Sequence, residues 1–308
     1  MDETRYRPVE RALWHHAGVA PIEHRIRLPR NGVDLRVLEV GDGPPVVFIH
    51  GGPGAAGAIW ADLAARLPRW RCLLIDRPGT GLSDAHLLRN AAEVRREAET
   101  LVVDVLDGLG IDRAHLVGSS HGSYVALLSA AVNPDRIDRT VHLGCPGFID
   151  GMAVRMFDRL VLLPGVPQLF GRMPASEKAM RNTLRQLGHG AALEAGVLPQ
   201  PLIDWFVALQ HHTDTMRNEL ASMGNVGSFR GGFDAELTLD AQLLGQVRSP
   251  TYVLWGDADN YGDAEVARRF TDALPDAELE LLPDAGHLCW LDDVDHAATA
   301  IGRHLTGA

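Results

Sequence analysis

Lysine is almost missing from this chain: of 29 basic residues only Lys178 is not arginine. Acidic residues number 40, giving a formal charge of −11. Non-specific binding to nucleic acid needs clustered cations that neutralise phosphates, so that class of function is excluded. Cysteines are few: Cys72, Cys145 and Cys289. They lie far apart and form no C-x-x-C pair, which excludes a zinc ribbon or a thioredoxin motif. An odd, small number does not make a disulfide scaffold and fits a reducing compartment. No apolar run approaches the roughly 18 residues of a membrane span. Residues 1–10 are charged and lack the apolar core of a signal peptide. These absences predict a soluble cytoplasmic protein, without nucleic-acid or membrane partners, acting as a monomer or homodimer. Internal repeats and low-complexity tracts are also missing. Hydrophobic residues at 46% and charged residues at 22% are ordinary for a chain that buries one large core.

Residues 1–22 read as an irregular lead-in. His24–Leu28 and Val33–Val40 alternate apolar and polar side chains, as half-buried strands do, and Asn31-Gly32 suits a hairpin between them. Val46–Ile49 and Cys72–Ile75 are continuous apolar runs, the pattern of strands covered on both faces. Ala58–Leu67 reads as a helix between them. Glu93–Leu109 carries a helical apolar stripe ended by Gly110. Strand His115–Val117, helix His121–Val132 and strand Thr140–Leu143 continue the alternation. This rhythm predicts β-α-β crossovers and a mostly parallel sheet.

The rhythm stops after Gly144. Residues 146–245 hold no convincing buried strand and read as largely helical. It resumes with strand Thr251–Trp255, helix Ala264–Leu274, strand Glu278–Leu282 and helix Val294–Leu305. The expected organisation is therefore a core of residues 1–145 and 246–308, interrupted by an insert of residues 146–245. That insert holds six of the seven Met and six of the eight Phe, but none of the four Tyr. Met and Phe suit an adaptable apolar surface over a pocket, although any small helical unit needs a core of its own.

Val117-Gly118-Ser119-Ser120-His121-Gly122-Ser123 contains G-x-S-x-G after a strand and before a helix. A sharp strand-to-helix turn crowds its own backbone, and glycines two residues either side of Ser120 remove the clashing Cβ atoms. Ser120 is then the expected nucleophile, with the His121 N–H free to stabilise an oxyanion. A serine hydroxyl needs a base, and the base an orienting carboxylate. Strand Thr251–Trp255 ends in Gly256-Asp257-Ala258-Asp259, and strand Glu278–Leu282 is followed by Pro283-Asp284-Ala285-Gly286-His287. Ser120, an acid at 257 or 259, and His287 therefore follow in a known chain order for a serine, an acid and a histidine.

Ile49-His50-Gly51-Gly52-Pro53-Gly54 is a Gly-rich turn after a buried strand, and Gly52 is the expected second oxyanion donor. The same turn fits G-x-G-x-x-G at Gly52, Gly54 and Gly57, with Asp76 ending the next strand, the layout of a dinucleotide site. That reading leaves Ser120, Asp259 and His287 unexplained, and Pro53 speaks against it. Trp60, just beyond the turn, is a candidate for lining the substrate pocket or for the core.

HGGPG at 50–54, DRPGTGLSD at 76–84, GSSHG at 118–122, WGDAD at 255–259 and AGH at 285–287 together resemble the α/β-hydrolase fold family over residues 24–306. The resemblance implies an eight-stranded, mostly parallel sheet flanked by helices, with 146–245 as an inserted helical cap. It picks Asp259 as the acid, with Asp257 as the alternate, and gives the 76–84 turn a structural role. It implies a hydrolase without cofactor or metal, acting on an ester, lactone or similar acyl bond of a small to medium, partly apolar molecule. Relatives that hydrolyse epoxides or haloalkanes carry Asp where this chain has Ser120, and epoxide hydrolases use cap tyrosines that are missing here. HGGPG is similar to proline iminopeptidases, which usually have Trp where this chain has His121. An aminopeptidase also needs carboxylates for a substrate ammonium, and Glu177, Glu194, Glu219 and Glu236 of the insert read as solvated surface. The alternatives are therefore an aminopeptidase of that kind, a carbon–carbon bond hydrolase, or a non-catalytic ligand-binding member of the fold. Asp257–Gly262 resembles the start of a calcium loop, but Arg268 stands where its closing Glu belongs. The adjacent His211 and His212 do not suggest a metal site.

Overall fold

The computed structural model describes residues 1–173 and 175–307. Eight strands form the main sheet: β1 (Ile22–Arg27), β2 (Asp34–Val40), β3 (Pro45–Ile49), β4 (Arg71–Ile75), β5 (Ala114–Ser119), β6 (Ile137–Leu143), β7 (Thr251–Gly256) and β8 (Ala277–Leu282). Their spatial order is β1-β2-β4-β3-β5-β6-β7-β8. Only β1 with β2, and β2 with β4, run antiparallel. From β4 to β8 every neighbouring pair is parallel.

Parallel strands in register bring their carboxyl ends to one edge. Ile49 lies opposite Ile75 and Gly118, Ser119 opposite Leu143, Leu143 opposite Leu254, and Gly256 opposite Leu282. The segments after these strands, beginning at 50, 76, 120, 144, 257 and 283, therefore all leave from the same edge. In a parallel sheet that edge is where a ligand meets the loops.

Alternation along the strands builds two cores. Phe48, Leu74, Val117, Val141 and Leu254 face one side, and Val47, Leu73, Leu116, Val253 and Trp255 the other. The first face is covered by α1 (Glu3–Ala17), α2 (Ala61–Ala65) and α13 (Val294–Thr306). The second is covered by α3 (Ala91–Gly108), α4 (His121–Val132) and α12 (Ala264–Asp272).

Two local expectations are corrected. Residues 1–22 are not an irregular lead-in: α1 runs from an Asp2 cap that accepts the Arg5 N–H to a left-handed Gly18. Its buried stripe is Tyr6, Glu10, Leu13 and Trp14, so a carboxylate and Pro8 mask the helical period. Glu10 is buried because Arg36 of β2 meets it at 2.6 and 2.8 Å and Tyr6 Oη donates to it at 2.9 Å. The helix expected over 58–67 is a 3₁₀ turn, Gly57–Trp60, followed by the short α2.

The chain leaves the sheet at Leu143 and re-enters at Thr251. Between them, among the described residues, lie α5 (Met156–Val161), α6 (Val166–Phe170), α7 (Glu177–Gln186), α8 (Gly190–Glu194), α9 (Gln200–His212), α10 (Thr215–Met223) and α11 (Ala241–Leu244). A two-residue hairpin pairs Gly227–Ser228 with Gly232–Phe233. Helix α9 carries Trp205, whose Nε1 donates to Tyr6 Oη at 2.9 Å and so ties this segment to α1. No helix among the described residues is long and apolar enough to cross a membrane.

Candidate active site

Ser120 sits between β5 and α4 with φ 52° and ψ −119°. A non-glycine residue pays for positive φ with strain, which persists only where neighbours enforce it. They do: a Cβ on Gly118 would fall 2.7 Å from the Gly122 carbonyl oxygen, and one on Gly122 would strike the Ile49 carbonyl. The two flanking glycines are thus required by the close approach of β3, β5 and α4, and the turn carries Ser120 to the sheet edge. There it lines a cavity of about 130 Å³.

His287 and Asp259 arrive from the loops after β8 and β7. His287 Nδ1 lies 2.9 Å from Asp259 Oδ2 and 3.1 Å from Oδ1, and both side chains are buried. The carboxylate is aimed by two backbone amides: Cys145 N donates to Oδ2 at 2.8 Å and Tyr261 N to Oδ1 at 2.9 Å. An imidazole that donates from Nδ1 keeps Nε2 as its acceptor. His287 lines the same cavity as Ser120. Among the described residues no hydrogen bond joins the two, as is common before a substrate draws such groups together. The alternate acid, Asp257, is elsewhere: it is exposed, and its Oδ1 accepts the Asp284 N–H at 2.8 Å.

The turn after β3 places Gly52 in the cavity wall. Gly51 packs so closely that a Cβ there would lie 3.0 Å from Ser120 Cβ. Arg77, from the segment after β4, holds this turn. Its Nε donates to the His50 carbonyl at 3.0 Å and its Nη2 to the Gly51 carbonyl at 2.9 Å. The His50 ring accepts the Arg77 N–H through Nε2 at 3.2 Å, with Nδ1 2.6 Å from the Gly51 carbonyl. Burial first, and Arg77 second, hold the His50 pKa well below the ordinary value, so the ring is neutral, as this pattern needs. The His121 ring also lines the cavity, against Tyr124 and Phe148. Burial and Arg77 keep it neutral too.

Eight polar residues of the wall escape sequence reasoning as site residues, Arg77, Glu219, Asp158 and Tyr261 among them. Glu219, expected among solvated acids, is instead largely buried in an ion pair with Arg77, and its Oε2 accepts the Gly54 N–H at 2.8 Å. Burial raises its pKa, against the pull of Arg77. Tyr261 lies with its ring 4.7 Å from that of His287, and its hydroxyl is 3.4 Å from Asp158 Oδ1. Burial raises the Asp158 carboxyl above its usual range. Arg77 lies inside DRPGTGLSD and Tyr261 two residues past WGDAD, which is a usable signal; Glu219 and Asp158 have none.

Part of the Met- and Phe-rich segment does form the apolar wall: Phe148, Met152, Met223 and Phe233. Met180 and Phe206 are core, whereas Met156, Phe157 and Met173 are exposed. Trp60, a candidate for the pocket or the core, takes the core: it is fully buried, stacked on Trp290 at 4.3 Å and tilted on Phe48 at 5.6 Å, and is not among the described residues of the cavity wall.

The glycine spacing that suggested a dinucleotide site leads into that same buried 3₁₀ turn. Asp76, the acid such a site would present to a ribose, is fully buried and accepts the Gly57 N–H at 2.8 Å and the Leu82 N–H at 2.9 Å. Neither feature is free for a ligand. Among the described residues no group of three or more His, Cys, Asp or Glu side chains is placed to hold a metal.

Comparison with known proteins agrees with the fold. A family model described as the alpha/beta hydrolase fold matches residues 44–183. A 2-hydroxy-6-oxo-6-phenylhexa-2,4-dienoate hydrolase of Burkholderia cepacia is 27% identical over 271 residues, covering 85% of this chain and 87% of that one. A 2-hydroxy-6-oxononadienedioate/2-hydroxy-6-oxononatrienedioate hydrolase of Paraburkholderia phymatum is 29% identical over 276 residues, covering 85% and 88%. Among solved structures, a naproxen esterase of Bacillus subtilis superposes with a TM-score of 0.74 at 19% identity, covering 98% of this chain and 97% of that one.

Proposed function

We propose that this chain, which has the α/β-hydrolase fold, is a serine hydrolase that cleaves an ester, lactone or similar acyl bond of a small, partly apolar molecule. The observation that carries this reading is the meeting, in one cavity, of Ser120 on its strained turn and His287, whose Nδ1 is held from behind by the buried Asp259. Ser120 Oγ attacks the substrate carbonyl while His287 Nε2 takes its proton. The N–H groups of Gly52 and His121 hold the developing oxyanion. The bond to the leaving group breaks, and the proton passes from His287 to that group. Water, deprotonated by His287, then attacks the acyl-enzyme, and Oγ leaves with the proton. Asp259 fixes the imidazole tautomer throughout. Residues 146–245 act as a cap whose Phe148, Met152, Met223 and Phe233 receive the apolar part of the substrate.

The curated relatives support a second reading, hydrolysis of a carbon–carbon bond beside a carbonyl, since their names state that reaction class for dienoates. A carboxylate-bearing substrate asks for a free cation in the wall. The one arginine there among the described residues, Arg77, is occupied by Glu219 and two carbonyls, which favours a neutral acyl substrate. An aminopeptidase role is less favoured for the mirror reason: of the acids in the wall, Glu219 already serves Arg77 and Gly54, Glu97 meets His86, and burial disfavours the charged form of Asp158.

The test is labelling by a fluorophosphonate, located by peptide mass mapping, with Ser120→Ala beside the wild type. A label on Ser120 that disappears in the variant is the expected result, followed by turnover of p-nitrophenyl esters faster than of a 2-hydroxy-6-oxodienoate. No label on folded protein would overturn the reading and leave a ligand-binding role. Preferred turnover of the dienoate would replace the first reading by the second.

A further inference from the structure

The corner Gln186–His189, between α7 and α8, reaches out of the insert to both loops that carry the acid and the base. Asn260, next to Asp259, donates to the Gln186 carbonyl. Gly188 packs so tightly on the Asp259 loop that a Cβ there would lie 2.5 Å from the Ala258 carbonyl oxygen and 2.7 Å from Gly286 Cα. Three consecutive amides around His287 are then held one by one. Gly286 N donates to Asp292 Oδ2 at 2.9 Å, His287 N to the Leu187 carbonyl at 2.8 Å, and Leu288 N to His189 Nε2 at 3.2 Å. His189 is fully buried, and its Nδ1 lies 2.9 Å from both oxygens of Asp292.

These contacts fix a tautomer. A ring nitrogen that accepts an amide hydrogen carries no proton, so His189 bears its proton on Nδ1 and donates it to Asp292. Asp292 therefore serves two donors, Gly286 N–H and His189 Nδ1–H. The result is a second histidine–aspartate pair, buried behind the loop whose other side presents His287 to the cavity.

We propose that His189 and Asp292 are positioning residues that hold His287 in register with Ser120, so that seating of the insert sets the alignment of the base. The proposal rests on the reading of His287 as general base. It makes the insert part of the machinery instead of only a cover: without the corner, Leu288 N–H and His287 N–H lose their acceptors, and the loop is free to shift the imidazole. Misplacing a catalytic group by about an ångström costs on the order of a hundredfold in rate while leaving binding intact.

The test compares wild type, His189→Phe and His189→Gln by p-nitrophenyl butyrate kinetics, by fluorophosphonate labelling and by hydrogen exchange at residues 286–288. Phe keeps a ring of similar size but cannot accept from Leu288 N–H or donate to Asp292. Gln can do both. The expected result for Phe is a fall in kcat of about 10- to 100-fold with KM little changed, together with faster exchange at 286–288. Gln should restore most of both. If Phe fails to fold, Asp292→Ala stands in. It removes the acceptor of both Gly286 N–H and His189 Nδ1–H, with the same loss in kcat expected. Unchanged kcat in whichever variant folds would overturn the proposal, as would a rise in KM at constant kcat, or Gln being as impaired as Phe. Exchange at 286–288 reads the brace without turnover. A wild type that takes no label on Ser120 therefore sinks the serine-hydrolase reading, whereas unchanged exchange in His189→Phe sinks the brace.

Discussion

Glu219 Oε2 accepts the amide hydrogen of Gly54 at 2.8 Å, while its other oxygen pairs with Arg77, so one side chain of α10 grips both the glycine turn and the arginine that pins it. Both charged groups are largely buried, at 11% and 7% side-chain exposure. Burying two charges costs desolvation energy that only the intact pair repays, and removing one partner strands the other. Glu219→Gln keeps an acceptor for Gly54 N–H but leaves Arg77 without its counter-charge. The expected destabilisation is about 3 kcal/mol. The Arg77→Met/Glu219→Gln double variant should lose clearly less than the sum of the two single variants. Denaturant unfolding of the four proteins measures this coupling, and strict additivity would refute it.

Asp257 and Asp259 differ by two positions and by everything that matters to a base. Asp259→Asn would present an amide N–H to His287 Nδ1, forcing the wrong tautomer, with an expected fall in kcat of about 10³- to 10⁴-fold. Asp257→Ala removes only the acceptor for Asp284 N–H at an exposed turn, so kcat should stay close to wild type. Steady-state kinetics on one ester decide the matter, and equal losses in the two variants would withdraw the assignment of the acid.

Much of this was legible because local rules sufficed. The continuous apolar runs of β3 and β4 announce burial on both faces, and the glycines at 118 and 122 announce a crowded turn around Ser120. His287 and an acid at 257 or 259 could be read as candidates because each follows a recognisable strand, and the family resemblance chose Asp259. What escaped depends on partners distant in the chain. The α1 stripe contains Glu10, which is buried only because Arg36 and Tyr6 receive it. Glu219 looked like a surface acid because its partner, Arg77, lies 142 positions away. The Gln186–His189 corner has no motif at all, since what it grips is backbone.

Trp60, for which the sequence left pocket and core open, lies in the core. Its stack on Trp290 makes it part of the core beneath α2 and α13. Trp60→Phe should therefore cost stability, about 1–2 kcal/mol for the lost contact area, and leave KM for an ester unchanged. Thermal unfolding and steady-state kinetics on the same preparation separate the two effects. A raised KM with unaltered stability would return Trp60 to the substrate pocket.

Acid sensitivity follows from His142 on β6. It is fully buried, neither ring nitrogen has a hydrogen-bond partner among the described residues, and burial pushes its pKa down to about 3. In the unfolded chain the same imidazole titrates near 6.5. The folded value is the lower one, so below pH 6.5 the unfolded state binds a proton that the native state refuses. The penalty is absent above pH 6.5 and grows as pH falls towards 3, reaching about 2 kcal/mol at pH 5. His142→Phe keeps a ring against Phe270, which now meets His142 edge-on at 6.2 Å, and removes the titration. Its loss of stability between pH 8 and pH 5 should be smaller than that of wild type by about 2 kcal/mol. The low-pKa rings of His50 and His121 remain in both proteins, so they cancel in that difference. Denaturant unfolding at the two pH values measures it, and identical acid slopes would mean that His142 is not held neutral by its surroundings.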